Sequence, residues 1–231
     1  VKMDIQKRLE ELSAVLADKT GVFYILISQL DPDAVGSAIG LQFLIQQLNP
    51  GLHTKIFYCG NVGHPQNMCL LNRYNMLGTV LRHVDDHEFP PCSEGVYYSL
   101  VDSSTVTDNR LGKLKGAFMP CVVIDHHRSE LEQTDDMFLW IEELGSASTL
   151  LVELVRHYKE SGKQELQIPE RLAAALAIGI YTDTKALVTG SMRDREAYGF
   201  ISQFVPVDQL NALIEYPLPA SHYDNFLCAL S

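Results

Sequence analysis

Cys121-Val122-Val123-Ile124-Asp125-His126-His127-Arg128 sets a carboxylate, two imidazoles and a guanidinium directly behind an apolar run. Residues 121–124 read as a buried strand. Two adjacent histidines leaving a strand end can put one ring on a metal and the other on a substrate. The strand holds the backbone rigid, as positioned ligands require. A surface turn that happens to carry two histidines is the competing account, because a motif this short occurs by chance. The surrounding chain decides between them, since other strand ends also deliver aspartates.

Residues 22–27 are a continuous apolar run of strand length, as expected in a sheet covered on both faces. Ser28-Gln29-Leu30-Asp31-Pro32-Asp33-Ala34-Val35-Gly36-Ser37 follows. Ile39, Leu41, Leu44, Ile45 and Leu48 then recur at helical spacing up to a stop at Asn49-Pro50-Gly51. Residues 54–58 form the next strand, so the order strand, helix, strand implies a right-handed crossover. Further strands are expected at 96–101, ending in Asp102-Ser103-Ser104, and at 137–141. Helices are expected at 4–16, 66–76, 148–158, 169–182, 193–204 and 208–214, with a short helical turn at 108–112. The pattern predicts an α/β fold: a mostly parallel sheet with helices on both faces and a helical C-terminal part. Residues 1–205 are expected to form one domain. Residues 206–231, broken by Pro217 and Pro219, read as a helical extension or a linker toward a second domain.

The chain has 231 residues, 46% of them hydrophobic, with a formal net charge of −11. That is enough for one large core. No apolar run approaches the ~18 residues of a membrane span, and no signal peptide is evident. Cys59, Cys69, Cys92, Cys121 and Cys228 show no CxxC pairing, so they are expected to be reduced core residues of a cytoplasmic protein. The acidic balance argues against binding long nucleic acid. A small phosphorylated substrate fits, because metal ions reverse the local sign of a carboxylate cluster. A homodimer is a possible assembly.

In open parallel sheets the ligand crevice lies at the carboxyl ends of the strands. Asp31 and Asp33, Asp102, and His126 with His127 fall at such ends. Asp183 lies on or just after an otherwise apolar helix, where an uncompensated charge is costly. Each aspartate also has a plainer reading: Asp33 as a helix N-cap, Asp31 and Asp102 as turn residues. A divalent metal pair explains all of them together. Carboxylates and imidazoles suit Mn²⁺ or a similar ion, and two metals clamp the attacking and leaving oxygens of a phosphoryl transfer.

Asp31-Pro32-Asp33-Ala34-Val35-Gly36-Ser37-Ala38, Val101-Asp102, Asp125-His126-His127 and Gly179-Ile180-Tyr181-Thr182-Asp183-Thr184 together resemble the DHH phosphoesterases, in the correct order. Gly145-Ser146-Ala147-Ser148-Thr149 and Arg193-Asp194 match a helix start and an arginine–aspartate step of that family. The resemblance implies that Asp102 bridges two metals. Asp31 would hold the first, and Asp33, His126 and Asp183 the second. His127 would contact the scissile phosphate, with Asp125 orienting the histidine pair. It further implies Mn²⁺ or Mg²⁺, one or two ions. The expected activity is hydrolysis of a P–O bond in a short oligonucleotide, a dinucleotide or a nucleoside bisphosphate. Alternatives are an inorganic pyrophosphatase of the same family and a catalytically impaired domain that binds a nucleotide or a partner.

Two departures from the family pattern stand out. Ile27 occupies the position of a histidine ligand of the first metal, and Leu30 that of a proline. The first site is therefore expected to be short of a ligand. The family's smaller C-terminal domain with a glycine-rich loop is also not recognised, so the chain is expected to be an excised or shortened catalytic domain. Arg128 is the best-placed basic group for substrate. Arg110, Lys113 and Lys115 follow the Asp102 loop within reach of a phosphate but read first as a solvated face, Asp108 as a surface-turn residue, and Lys185 as a counter-charge for Asp183 or a contact to a leaving group. Trp140 reads as core, and the histidines outside the pair as surface or packing residues.

Overall fold

The computed structural model describes residues 4–63, 65–105, 109–114, 119–162 and 166–215. Its frame is a six-stranded sheet in the order β3-β2-β1-β4-β5-β6. The strands are β1 (Gly21–Ile27), β2 (Leu52–Tyr58), β3 (Leu81–His83), β4 (Val96–Val101), β5 (Pro120–Asp125) and β6 (Phe138–Ile141), and every neighbouring pair is parallel. Helices α1 (Ile5–Leu16), α2 (Pro32–Leu48) and α3 (Pro65–Arg73) alternate with the first strands. Helices α4 (Ala147–Glu160), α5 (Glu170–Asp183), α6 (Met192–Ile201) and α7 (Val207–Ile214) follow the sheet. The mixed α/β architecture is the expected one. The strand β3 was not legible, because its Leu-Arg-His carries no period-2 apolar pattern and only its leucine is buried.

Side chains alternate across the sheet, so one strand feeds two cores. Phe23, Ile25 and Ile27 of β1 pack with the α-helices, while Tyr24 and Leu26 face the opposite layer. Burial on both faces explains why β1 reads as an unbroken apolar run. The chain moves from β1 through β2 to the β3 edge, then returns to the other side of β1 as β4. Right-handed crossovers therefore place α2 and α3 on one face and the β4–β5 and β5–β6 connections on the other. On that second face the helical cover is short: 3-10 turns at Val84–Asp86 and Asn109–Leu114 supply Val84, Leu111 and Leu114. Of the described cysteines, only Cys59 is buried and Cys92 is exposed, so the core expectation holds for one of them. Trp140 is fully buried, as expected. Among the described residues no helix is long and apolar enough to cross a membrane.

Helix α7 lies against this body: Leu213 is buried in the main core, and the Cys69 thiol donates to the Ala212 carbonyl at 3.7 Å. Residues 216–231, with Pro217, Pro219, His222 and Cys228, lie outside the described residues.

Where α2, α4 and α5 meet, the helix backbones approach at glycines. A Cβ on Gly36 would lie 2.6 Å from Ser148 Oγ and 2.7 Å from the Ala175 carbonyl, and one on Gly179 2.5 Å from Ser148 Oγ. Side chains in the contact would push α5 away from α2 and α4. Gly179→Ala is therefore expected to destabilise the protein by roughly 1–3 kcal/mol through overpacking. Gly199→Ala, on α6 with nothing within 4 Å of the added Cβ, should stabilise by about 1 kcal/mol. Urea denaturation of both variants checks the contrast, and an unchanged midpoint for Gly179→Ala would contradict it.

Candidate metal and phosphate site

The strand order reverses between β1 and β4, and crevices in open parallel sheets form at the carboxyl ends around such a switch. There the structure collects the candidate residues. Asp31 is the N-cap of α2 and accepts from the Ala34 amide at 2.9 Å. The N-cap is thus Asp31 and not Asp33, which lies two residues on, within the first turn of α2, and is 1% exposed.

Asp33 is held by the start of another helix. Its Oδ1 accepts from Ser146 Oγ at 3.0 Å and the Ser148 amide at 2.8 Å, and its Oδ2 from the Ala147 amide at 2.7 Å. Donors converging at a helix N-terminus, with its partial positive charge, are what a buried carboxylate needs. That helix start is pinned in turn. The buried Asp194 accepts from Thr149 Oγ1 at 2.6 Å and the Gly145 amide at 3.2 Å, while Arg193 bridges Glu142 and Glu153.

His126 is fixed from behind: its Nδ1 lies 3.0 Å from the Leu144 carbonyl oxygen. Only a protonated Nδ1 can donate there, so Nε2 is the nitrogen turned to the crevice. It lies 3.2 Å from Asp102 Oδ1, 3.3 Å from Asp183 Oδ2 and 3.6 Å from Asp33 Oδ2. His126 Nε2 and Asp102 Oδ1 are buried without a hydrogen-bond partner, so the 3.2 Å approach satisfies neither atom. Octahedral ligands about 2.1 Å from a divalent ion are separated by about 3.0 Å along each edge. The donor set fits such a cation. Asp33, His126 and Asp183 form one candidate group, and Asp102, His126 and His127 a second that shares His126.

Electrostatics point the same way. Burial and the charge of Asp33 push the Asp102 carboxyl well above the usual carboxylate range, and the same causes push Asp183 up to about 6. Burial pulls the His126 imidazole down, but the approach of Asp102 and the charges of Asp33 and Asp102 outweigh it and lift it to about 10. Without a cation, a trapped proton is what partly offsets the crowded carboxylates. Asp102 also adopts a left-handed backbone (φ 54°), tolerable for aspartate but uncommon.

Asp125 stays outside the cluster and organises the histidines. It accepts from the His126 and His127 amides at 2.8 and 3.2 Å and lies 2.8 Å from His127 Nδ1. Burial raises this carboxyl, and the His127 hydrogen bonds overcome that and hold it below the ordinary value. The hydrogen bond to Asp125 raises His127, whose ring is largely exposed. His127 and Arg128 line a cleft of about 300 Å³ with Asp31, Asp102 and Arg110.

Arg110 belongs to the cleft and not to a remote solvated face. Lys185 makes no ion pair with Asp183 among the described residues, and its left-handed backbone (φ 49°) turns the chain away after α5. Ile27 is fully buried with the helix-side core, so the last residue of β1 contributes nothing to the cleft. Asp108, Lys115, His64 and the Lys113 side chain lie outside the described residues. Sequence reasoning missed the Leu144 carbonyl and the α4 amides. A backbone carbonyl leaves no mark in a sequence, whereas Ser146 at the start of α4 was a readable cap signal.

Comparison with known proteins fits this geometry. The model of the DHH family N-terminal domain matches residues 23–180, and the chain belongs to the DHH family. An uncharacterized protein of Methanocaldococcus jannaschii is 25% identical over 196 residues, covering 84% of this chain and 54% of the relative. A second from that organism is 26% identical over 221 residues, covering 93% and 40%. The chain thus spans about half the length of the curated relatives it matches. Among solved structures, a candidate family II inorganic pyrophosphatase of Methanococcus jannaschii superposes with a TM-score of 0.60 at 19% identity, covering 84% of this chain and 59% of the other. An exopolyphosphatase-related protein from Bacteroides fragilis gives 0.69 at 15% identity, covering 97% and 64%. At these identities the two structures share the fold.

The Asp183 shift has a measurable sign. Its folded value of about 6 exceeds the ordinary 3.8, so ionisation costs the cation-free protein stability that is intact below the ordinary value and lost as pH rises to about 6. Asp183→Asn removes the cost. In chelator at about pH 8 the variant is expected to be more stable by roughly 1 kcal/mol, discounted because the carboxylate is partly exposed, and the advantage should vanish near about pH 4. Urea titrations at both pH values check this, and a less stable variant at the higher pH would contradict the repulsion.

Proposed function

We propose that this chain is a divalent-metal-dependent phosphoesterase that hydrolyses a P–O bond of a small nucleotide: a short oligonucleotide, a dinucleotide or a nucleoside bisphosphate. The observation that carries the reading is the approach of Asp33, Asp102 and Asp183 to the unpartnered Nε2 of His126. In this reading Asp33, Asp102, His126 and Asp183 would hold the ion, and Asp31, which lines the cleft together with Asp102, would hold a second. The ion, Mn²⁺ or Mg²⁺, supplies Lewis-acid stabilisation of the charge that develops on phosphoryl oxygens. His127 contacts the scissile phosphate from the cleft wall. Asp125 fixes the tautomer and direction of that ring by accepting from Nδ1. Arg128 stands at the outer lip, paired with Glu143 at 2.8 Å. The absence of CxxC spacing among the cysteines of the sequence fits a cytoplasmic location.

Two other readings each rest on an observation. The polar and charged residues that line the cleft among the described residues favour an inorganic pyrophosphatase of the same family. The burial of Ile27 favours a domain that binds a nucleotide or a partner without turnover. Assays of dinucleotides, nucleoside bisphosphates and pyrophosphate in Mn²⁺ separate the three. Turnover of pyrophosphate alone would replace our reading with the first, and metal binding without any turnover would replace it with the second.

Asp102→Asn is expected to lower both metal content and turnover by more than about a hundredfold, since even residues behind metal ligands cost 10–100-fold. The exposed Asp135→Asn should leave both unchanged. Equal effects at the two positions would remove Asp102 from the site.

Metal stoichiometry provides a separate check. The donors around His126 make one complete site, and Ile27 supplies none to a second. Titration with Mn²⁺ should show one tight ion per chain and a second bound at least about tenfold more weakly, given fewer ligands. Two equally tight ions would show that another group replaces the missing imidazole.

A further inference from the structure

We propose that Arg110 is a substrate-binding residue and that the cleft selects its substrate through phosphate groups, without reading a nucleobase. The inference rests on the phosphoesterase reading and narrows its substrate class. Every described residue that lines the cleft is polar or charged, and His127 is the only ring among them. Single-stranded nucleotides are gripped by stacking their bases on aromatic faces. Nothing described in this wall offers such a face beyond the imidazole that Asp125 already orients. What the wall does offer is suited to an oxyanion: the hydroxyls of Ser103 and Thr105 and the guanidinium of Arg110.

Arg110 is prepared for that contact. It sits on the 3-10 turn Asn109–Leu114, which Leu111 and Leu114 anchor in the second-face core. Its Nη1 donates to Gln29 Oε1 at 2.7 Å, tying it to the segment between β1 and α2. The guanidinium is therefore held across the cleft mouth between the chain following β1 and the chain following β4. A planar fork held in place loses little freedom when it meets a phosphate bidentately. Arg128 lines the same cleft and pairs with Glu143 at the outer lip. The carboxylates at the floor repel a phosphate, so a fixed cation on the wall has a definite task. Arg110 neutralises the part of the substrate that the ion does not reach.

The test uses the whole 231-residue chain with Mn²⁺ bound. Calorimetric titration with inorganic pyrophosphate is compared for the parent, Arg110→Ala, Arg110→Lys, Gln29→Ala and the remote Arg156→Ala, with Mn²⁺ affinity and thermal melting recorded for each. Arg110→Ala should bind pyrophosphate roughly tenfold to a hundredfold more weakly, as expected for loss of a charge-assisted contact. It should raise KM more than it lowers kcat and leave Mn²⁺ affinity and melting unchanged. Arg110→Lys should recover part of the loss, Gln29→Ala should show a smaller one, and Arg156→Ala none. Dinucleotides that differ only in their bases should give kcat/KM values within about threefold, since no described residue of the wall other than His127 offers a ring to the base. Unchanged pyrophosphate affinity in Arg110→Ala, or a base preference above about tenfold, overturns the inference while leaving the phosphoesterase reading intact. If the parent binds Mn²⁺ and pyrophosphate but turns over nothing, the hydrolytic reading fails and binding still decides Arg110. A parent that binds neither overturns both.

Discussion

The carboxylate of Asp33, buried against the first turn of α4, is the contact on which the rest of the site depends. A carboxylate at 1% exposure is intolerable without donors. The helix start provides Ser146 Oγ and the amides of Ala147 and Ser148. That arrangement joins the first turns of α2 and α4 at the crevice, and α5 packs closely beside both. The close approach at Gly36 and Gly179 follows, and so does the arrival of Asp183 at the end of α5, 3.3 Å from His126. One buried charge thus sets the relative placement of three helices.

Negative charge dominates what results. Asp33, Asp102 and Asp183 crowd one imidazole, and the arginines stand at the rim of the neighbouring cleft. The raised carboxyls of Asp102 and Asp183 and the raised imidazole of His126 are three expressions of one imbalance. A structural ion pair matches its charges, whereas this cluster leaves an excess and two buried polar atoms, His126 Nε2 and Asp102 Oδ1, without a hydrogen-bond partner. Strain has the same location, since Asp102 holds a left-handed backbone where the chain leaves β4. Such features gather where a protein binds an ion or performs chemistry.

The sheet makes the arrangement possible at small cost in chain length. Because β1 and β4 are neighbours whose connections leave in opposite directions, the loops after them open a crevice without any insertion. The strand β5 lies beside β4, so the Asp125-His126-His127 run emerges on the same edge. Histidine orientation is then local: Asp125 takes the amides of the two residues that follow it and faces one of their rings.

The amino-acid sequence alone determined the strand-forming apolar runs, the helix periodicities and hence the α/β class, because side-chain alternation and burial are written residue by residue. It also identified which aspartates and histidines to watch, since charged groups at the ends of apolar strands stand out against their surroundings. It did not reveal β3, whose three residues are too few to carry a period, nor the place of Arg110, which depends on how a 3-10 turn docks on the second face. The pairing of Asp33 with the α4 amides and of His126 with the Leu144 carbonyl was equally hidden. Those partners are backbone groups distant in the chain, and backbone groups are the same at every residue. Only the tertiary structure decides which of them meet a given side chain.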